Sequence, residues 1–166
     1  MTYQNLDRES INSVLNKAEL ICAKSGGRFT EKRKRILETL LQSDVPLSAY
    51  EITSAYNQAF DTNMPVMSVY RILDFLESEH LAHKLSSTNK YVACSHITCC
   101  DIHAVPQFLI CGQCQSVKEI AIPKNIVEEL ERQVTGAGYR PANSQLELQC
   151  VCEQCIDDVA MQSHAR

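Results

Sequence analysis

Apolar positions in the first eighty residues recur at helical spacing. Between Ser10 and Ala23 they fall at Ile11, Val14, Leu15, Ala18, Ile21 and Cys22, and Gly26-Gly27 ends the run. Thr30 is placed to cap a second helix with Ile36, Leu37, Leu40 and Leu41 on one side. The third helix starts at SAYE, where Ser48 and Glu51 have capping-box spacing, and carries Ile52, Ala55, Tyr56 and Phe60 along its apolar side. Turn residues from Asp61 to Pro65 then lead into MSVYRILDFLESEHL. There Val69, Ile72, Leu73 and Leu76 form one stripe, so Arg71, at about 100° per residue, lies nearly opposite it and points outward.

The pattern then shortens. LAHKLSSTNKYVAC reads as two strand-like runs around a polar tip, a β-hairpin. A turn at Ser87 to Lys90, or at its inner two residues, sets His83 directly opposite Cys94, with Cβ atoms about 5 Å apart. Three helices and a hairpin in that order make a winged-helix domain, a DNA-binding helix-turn-helix variant. Arg71 would lie on the outer face of its recognition helix, with Ser68 and Tyr70 flanking it. Further on, QFLIC and SVKEIAI read as strands, IVEELERQV as a helix and SQLELQC as a strand. The expected fold is α+β: a winged-helix domain over residues 1–94, a hinge over 95–106, and a small α/β domain over 107–166.

The length of 166 residues suits one ordinary domain or two small ones, with a real core in either case. The formal charge of −4 speaks against nucleic acid taken whole, but its distribution does not. Residues 1–90 carry 11 basic and 11 acidic side chains, and residues 91–166 carry 5 and 9. The run RFTEKRKR, from Arg28 to Arg35, sets five positive charges against one negative, a local basic face. The start, MTYQNLDRES, has no basic segment leading into an apolar one, and no apolar run approaches the roughly 18 residues that span a bilayer. A cytoplasmic protein with no membrane partner is therefore expected.

That compartment changes how nine cysteines are read. In a reducing environment clustered thiols point to metal ligation or redox work rather than to structural disulfides, and an odd count leaves no complete pairing. CGQC at 111–114 and CEQC at 152–155 are two such pairs, 37 residues apart. Each turns two thiolates toward one point, and Cys111, Cys114, Cys152 and Cys155 together make a closed tetrahedral set for structural zinc. A thioredoxin-like couple would need a βαβ context that neither pair has. A looser cluster follows the hairpin: His83, Cys94, His96, Cys99, Cys100, Asp101 and His103. A metal there would tie the two halves together, as in a metal sensor; the other reading is a hairpin histidine, a buried cysteine and exposed hinge residues. No HExxH or similar catalytic motif occurs, so no enzyme is expected.

The segments RFTEKR, SAYE, SVYRILDFLES, HKLSSTNKYVAC, FLICGQCQSVKE and CEQC, spread over about residues 10–157, resemble the ferric uptake regulator family of metal-responsive repressors. The zinc uptake branch is the nearest. The resemblance implies a homodimer, joined through its second domain, that binds double-stranded DNA at an AT-rich palindromic operator when metallated. It takes no small-molecule substrate other than the metal ion. Two zinc ions per protomer are implied: a structural one on the four cysteines, and a regulatory one on His83, Cys94, His103 and Glu119, with His96, Cys99 or Cys100 as possible substitutes. For DNA it implies Tyr50, Ser68, Tyr70 and Arg71, with Arg28, Arg33, Lys84 and Lys90 positioning the backbone. The HHDH motif of the iron branch is replaced by DIHAVPQFLIC, and a set with a thiolate and imidazoles suits zinc better than iron or manganese. The expected function is a repressor of zinc uptake genes; the alternative is an iron-, manganese-, peroxide- or thiol-responsive repressor of the same family.

Overall fold

A computed structural model describes residues 7–98, 106–142 and 145–156. Its elements run α1 Arg8–Ser25, α2 Glu31–Leu41, α3 Ala49–Phe60, α4 Val66–Ser78, β1 Ala82–Leu85, β2 Lys90–Ala93, β3 Gln107–Cys111, β4 Val117–Ile120, α5 Lys124–Gly136 and β5 Leu146–Cys150. The chain divides into two compact units, Met1–Asp101 and Ile102–Arg166. Among the described residues no helix is long and apolar enough to cross a membrane.

The first unit is a winged-helix domain. Its helices begin and end where the local chemistry directs. Asp7 caps α1 by accepting from Ser10 N–H at 2.8 Å, and Gly26, at φ 79°, takes the left-handed turn that ends it. Gly27 allows a close approach, because a Cβ there would meet a Glu79 carboxylate oxygen at 2.9 Å and the Phe75 ring at 3.2 Å, and both side chains would have to give way. Ser48 and Glu51 form the expected capping box on α3. Thr30 stands at the α2 N-cap but makes no side-chain bond there.

The apolar stripes of all four helices meet in one core. Val14, Leu15, Ala18, Cys22, Ile36, Leu37, Ile52, Val69, Leu73 and Leu76 are buried in it together with Leu81 and Tyr91 from the hairpin. Two expected core positions fall outside: Ala55 and Phe60 are exposed, because α3 turns the side of Ala49, Ile52 and Tyr56 inward. Phe60 covers itself by packing on Tyr56, with ring centroids 4.9 Å apart. The hairpin gains a third partner as well. Leu47 and Tyr91 exchange backbone hydrogen bonds of 3.0 and 2.7 Å, which fastens the wing to the α2–α3 connection.

The second unit is a three-stranded sheet in the order β4-β3-β5 with α5 as the crossover. β3 pairs antiparallel with β4 and parallel with β5, as the apolar run QFLIC in the central strand suits. This topology brings both cysteine pairs to one edge of the unit.

Candidate metal centre and nucleic-acid face

β5 starts beside the start of β3, with Leu146 opposite Gln107, so the two parallel strands finish at the same end of the sheet. Cys111 and Cys150 are register partners there, and Gly112 N–H donates to the Cys150 carbonyl at 2.9 Å. The first pair lies on the tight turn after β3, with Gln115 at φ 63°; the second begins two residues beyond β5. The four sulfurs of Cys111, Cys114, Cys152 and Cys155 all lie within 4.8 Å of one another, and those of Cys114 and Cys152 are 3.6 Å apart. Zinc–sulfur bonds of about 2.3 Å in a tetrahedron put sulfurs about 3.8 Å apart, so the set fits zinc as it stands.

The electrostatics favour the same ion. Backbone N–H groups of Cys114, Cys152 and Gln113 aim at the Cys111 sulfur and bring its thiol down to about 6. Cys114 is also lowered, by Ser116, whose hydroxyl lies 3.1 Å from its sulfur. Cys155 goes the other way, pushed up to about 12 by its hydrogen bond to Cys152, by burial and by the neighbouring sulfurs. Four thiols crowded on one point cannot all ionise by themselves. A dication at their centre would remove that conflict.

α4 presents a different chemistry. Arg71 is exposed on the side opposite the Val69, Ile72, Leu73 and Leu76 stripe, as the helical spacing requires, with Ser68 and Tyr70 half-buried beside it. No acidic residue lies in the first turn of the helix, and its N-terminal N–H groups have no side-chain cap. Such an end attracts negative charge. Tyr50, at the start of α3, is 67% exposed, whereas Tyr56 two turns along is core at 4%.

In the first unit, His83 and Cys94 come together, but not as the expected register had it. The turn is Ser86 to Asn89, with Asn89 at φ 54°, so Val92 stands opposite His83 and the Cys94 N–H donates to the Leu81 carbonyl at 3.0 Å. Cys94 is therefore diagonal to His83, two residues along the same face. A His83 ring nitrogen and the Cys94 sulfur still lie within 4.8 Å. His83 is 9% exposed and Cys94 fully buried. His96 is half-buried next to them, its backbone N–H 3.4 Å from the Cys94 sulfur and its Nδ1 3.3 Å from the Ser95 hydroxyl. Glu119 belongs to the second unit, in β4 opposite Phe108. Cys99, Cys100 and His103 lie outside the described residues.

The model of the ferric uptake regulator family matches residues 24–149. The chain belongs to that family. The matched stretch runs from before α2 into β5 and stops short of CEQC. The zinc uptake regulation protein of Escherichia coli K12 is 29% identical over 152 residues, 92% of this chain and 86% of that protein. A solved zinc uptake regulator complexed with zinc and DNA superposes with a TM-score of 0.80 at 27% identity, covering 91% of this chain and 98% of the other. Holo XcZur gives a TM-score of 0.74 at 32% identity over 88% and 99% of the two chains.

In this family member the four basic residues named for the DNA backbone are not equivalent. Arg28 is exposed on the connection into α2. Arg33 is occupied within the fold: its guanidinium lies 3.3 Å from the centre of the Phe75 ring and donates to the Arg28 carbonyl. Lys84 stands over Tyr91 at 5.8 Å, and Lys90 makes a 3.3 Å ion pair with Glu51 across to α3. Glu77 was not singled out from the sequence and yet fixes the wing. Its carboxylate accepts the Lys84 backbone N–H at 3.1 Å, joining α4 to β1, and burial raises its pKa. An acidic residue seven positions from its partner gives no local signal.

Proposed function

We propose that this chain is a zinc-responsive transcriptional repressor that binds operator DNA as a metallated homodimer and controls zinc uptake genes. The observation that carries the zinc assignment is the buried Cys94 thiol beside the His83 imidazole within the DNA-binding unit. A thiolate with imidazole selects a borderline-soft ion, whereas iron and manganese sensors favour oxygen and nitrogen donors. The reading takes two zinc ions per protomer. Cys111, Cys114, Cys152 and Cys155 hold the structural one; His83, Cys94, His103 and Glu119 hold the regulatory one, with His96, Cys99 or Cys100 able to replace His103.

In this reading residues 1–94 bind DNA, 95–106 form the hinge and 107–166 make the dimer. The ligands of the regulatory site come from all three, so binding free energy becomes ordering energy for the hinge and fixes the two recognition helices of the dimer at one spacing. Arg71 donates to a guanine edge, Tyr70 and Tyr50 reach thymine and phosphate, Ser68 and Arg28 position the helix on the backbone, and Lys84 and Lys90 do so from the wing. A dimer of such units suits an AT-rich palindrome, its half-sites set by the spacing of two helices. The homodimer reading is supported by α5, which buries none of its residues while Ile126, Leu130, Tyr139 and Leu148 are 52, 40, 72 and 48% exposed. Family members are regulators of transcription, and no catalytic role is assigned to any residue.

The test is zinc per protomer by elemental analysis, before and after a mild chelator under reducing conditions, alongside DNA affinity across buffered free zinc. Two zincs falling to one, with DNA released as the second leaves, is the expected result, and His83→Ala should lose the second zinc alone. A single zinc that never exchanges, or DNA affinity indifferent to free zinc, would remove the sensor and leave a constitutive DNA-binding protein.

A further inference from the structure

One residue on the outer face of α4 has no part in the fold. Met67 is 62% exposed, while every other large apolar side chain of that helix is buried in the core or packed against it. A single exposed apolar residue is ordinary on a protein surface; its placement here is not. Met67 stands three residues before Tyr70 and four before Arg71, so the three share one side of the first two turns. That side holds no carboxylate until Asp74, and the uncapped N-terminus of the helix lies at the same end. A long, flexible thioether thus projects from the part of a recognition helix that approaches base edges. The one apolar group that the major groove offers is the C5 methyl of thymine.

We propose that Met67 is a specificity-determining residue that packs against a thymine methyl one or two base steps from the base that Arg71 contacts. Four residues advance a helix by about 6 Å, against roughly 3.4 Å per base step, which sets that spacing. The proposal rests on the DNA-binding reading above and deepens it. Tyr70 is the neighbouring rival for the same methyl, since it lies on the same side of the helix; its ring, however, packs against the core, while Met67 is unconstrained.

The zinc-loaded full chain is first used to select binding sequences from random duplex DNA. Each thymine of the selected site is then replaced in turn by deoxyuridine, which removes only the methyl. The wild type should lose about fourfold in affinity at one thymine per half-site, the value of one buried methyl-sized group. Met67→Ala, exposed and helix-compatible, should bind with that loss already present and show no further loss at the same position, while Met67→Leu should restore part of the methyl dependence. Wild-type indifference to every deoxyuridine overturns the proposal, as does a methyl dependence that survives in Met67→Ala and vanishes in Tyr70→Ala. If zinc selects no sequence at all, the DNA-binding reading fails and takes this proposal with it; selection without methyl dependence removes only the role of Met67.

Discussion

The two units of this chain reach order by different means. In the first, four helices and a hairpin close over one contiguous core in which Ala18, Cys22, Ile36, Leu37, Ile52, Val69, Leu73, Leu76 and Leu81 have almost no exposure. In the second, the buried described residues are confined to β3 and one cysteine beyond β5: Gln107, Phe108, Ile110, Cys111 and Cys155. α5 contributes nothing to that set. A small sheet with one covered strand is marginal by burial alone, and the remedies open to so small a unit are a metal staple or a partner chain. The second unit carries the residues for both.

The largest expected effect follows from removing the staple. Structural zinc in comparable cysteine sites contributes about 10 kcal/mol or more of folding free energy. Cys111→Ser should therefore lose the tightly held zinc and the order of the second unit, while the first keeps its helices. Elemental analysis with limited proteolysis reads both: a protease-resistant fragment ending near Asp101 is expected, and a variant whose second unit resists proteolysis without zinc would erase the contrast.

One substitution made twice sharpens it. Leu73→Ala leaves a hole in a fully buried position and should lower the stability of the first unit by about 2–5 kcal/mol. Leu130→Ala, at a position 40% exposed on α5, should change unfolding by well under about 1 kcal/mol and act instead on self-association, weakening the dimer in sedimentation measurements. Equal destabilisation at the two positions, with association unchanged, would mean that α5 is packed within its own protomer.

Legibility in the sequence divides along the same line. The stripes of α1, α2 and α4 were readable because a helix buried on one side repeats its apolar positions every turn. CGQC and CEQC were readable because ligand spacing is local, and that the two pairs meet followed from needing four ligands; the parallel register of β3 and β5 that brings them together is encoded by no local signal. The wing shows how a wrong register can still keep two side chains on one face. Placing the turn at Ser87 to Lys90 instead of Ser86 to Asn89 shifts the pairing by two residues, and a shift of two preserves the faces of both strands. His83 and Cys94 remained on one side for that reason. Asn89 was the available clue, since asparagine tolerates the left-handed conformation that it adopts there. The stacking of Arg33 on Phe75 and the hold of Glu77 on the wing were not legible, because both join residues distant in sequence and neither repeats.

The smallest expected effect lies in a device that was fully legible. Ser48 N–H donates to the Glu51 carboxylate at 2.6 Å, and Glu51 N–H donates to the Ser48 hydroxyl at 3.2 Å. These bonds hold the Glu51 carboxyl below its usual 4.5, the Ser48 backbone N–H first, its hydroxyl next and Lys90 after them. A lowered folded value means stability that is present above the unfolded pKa and lost as pH falls through the folded one. Glu51→Ala, which keeps the Ser48 hydroxyl on the backbone N–H of residue 51 but removes the carboxylate, should cost about 0.5 kcal/mol near neutral pH, and the gap to the wild type should narrow once the pH drops below 4.5, as the wild type loses its own Glu51 contribution. Parallel urea titrations at pH 7 and pH 3 measure that narrowing. A gap that stayed constant would leave the carboxylate's charge without a share in the stabilisation.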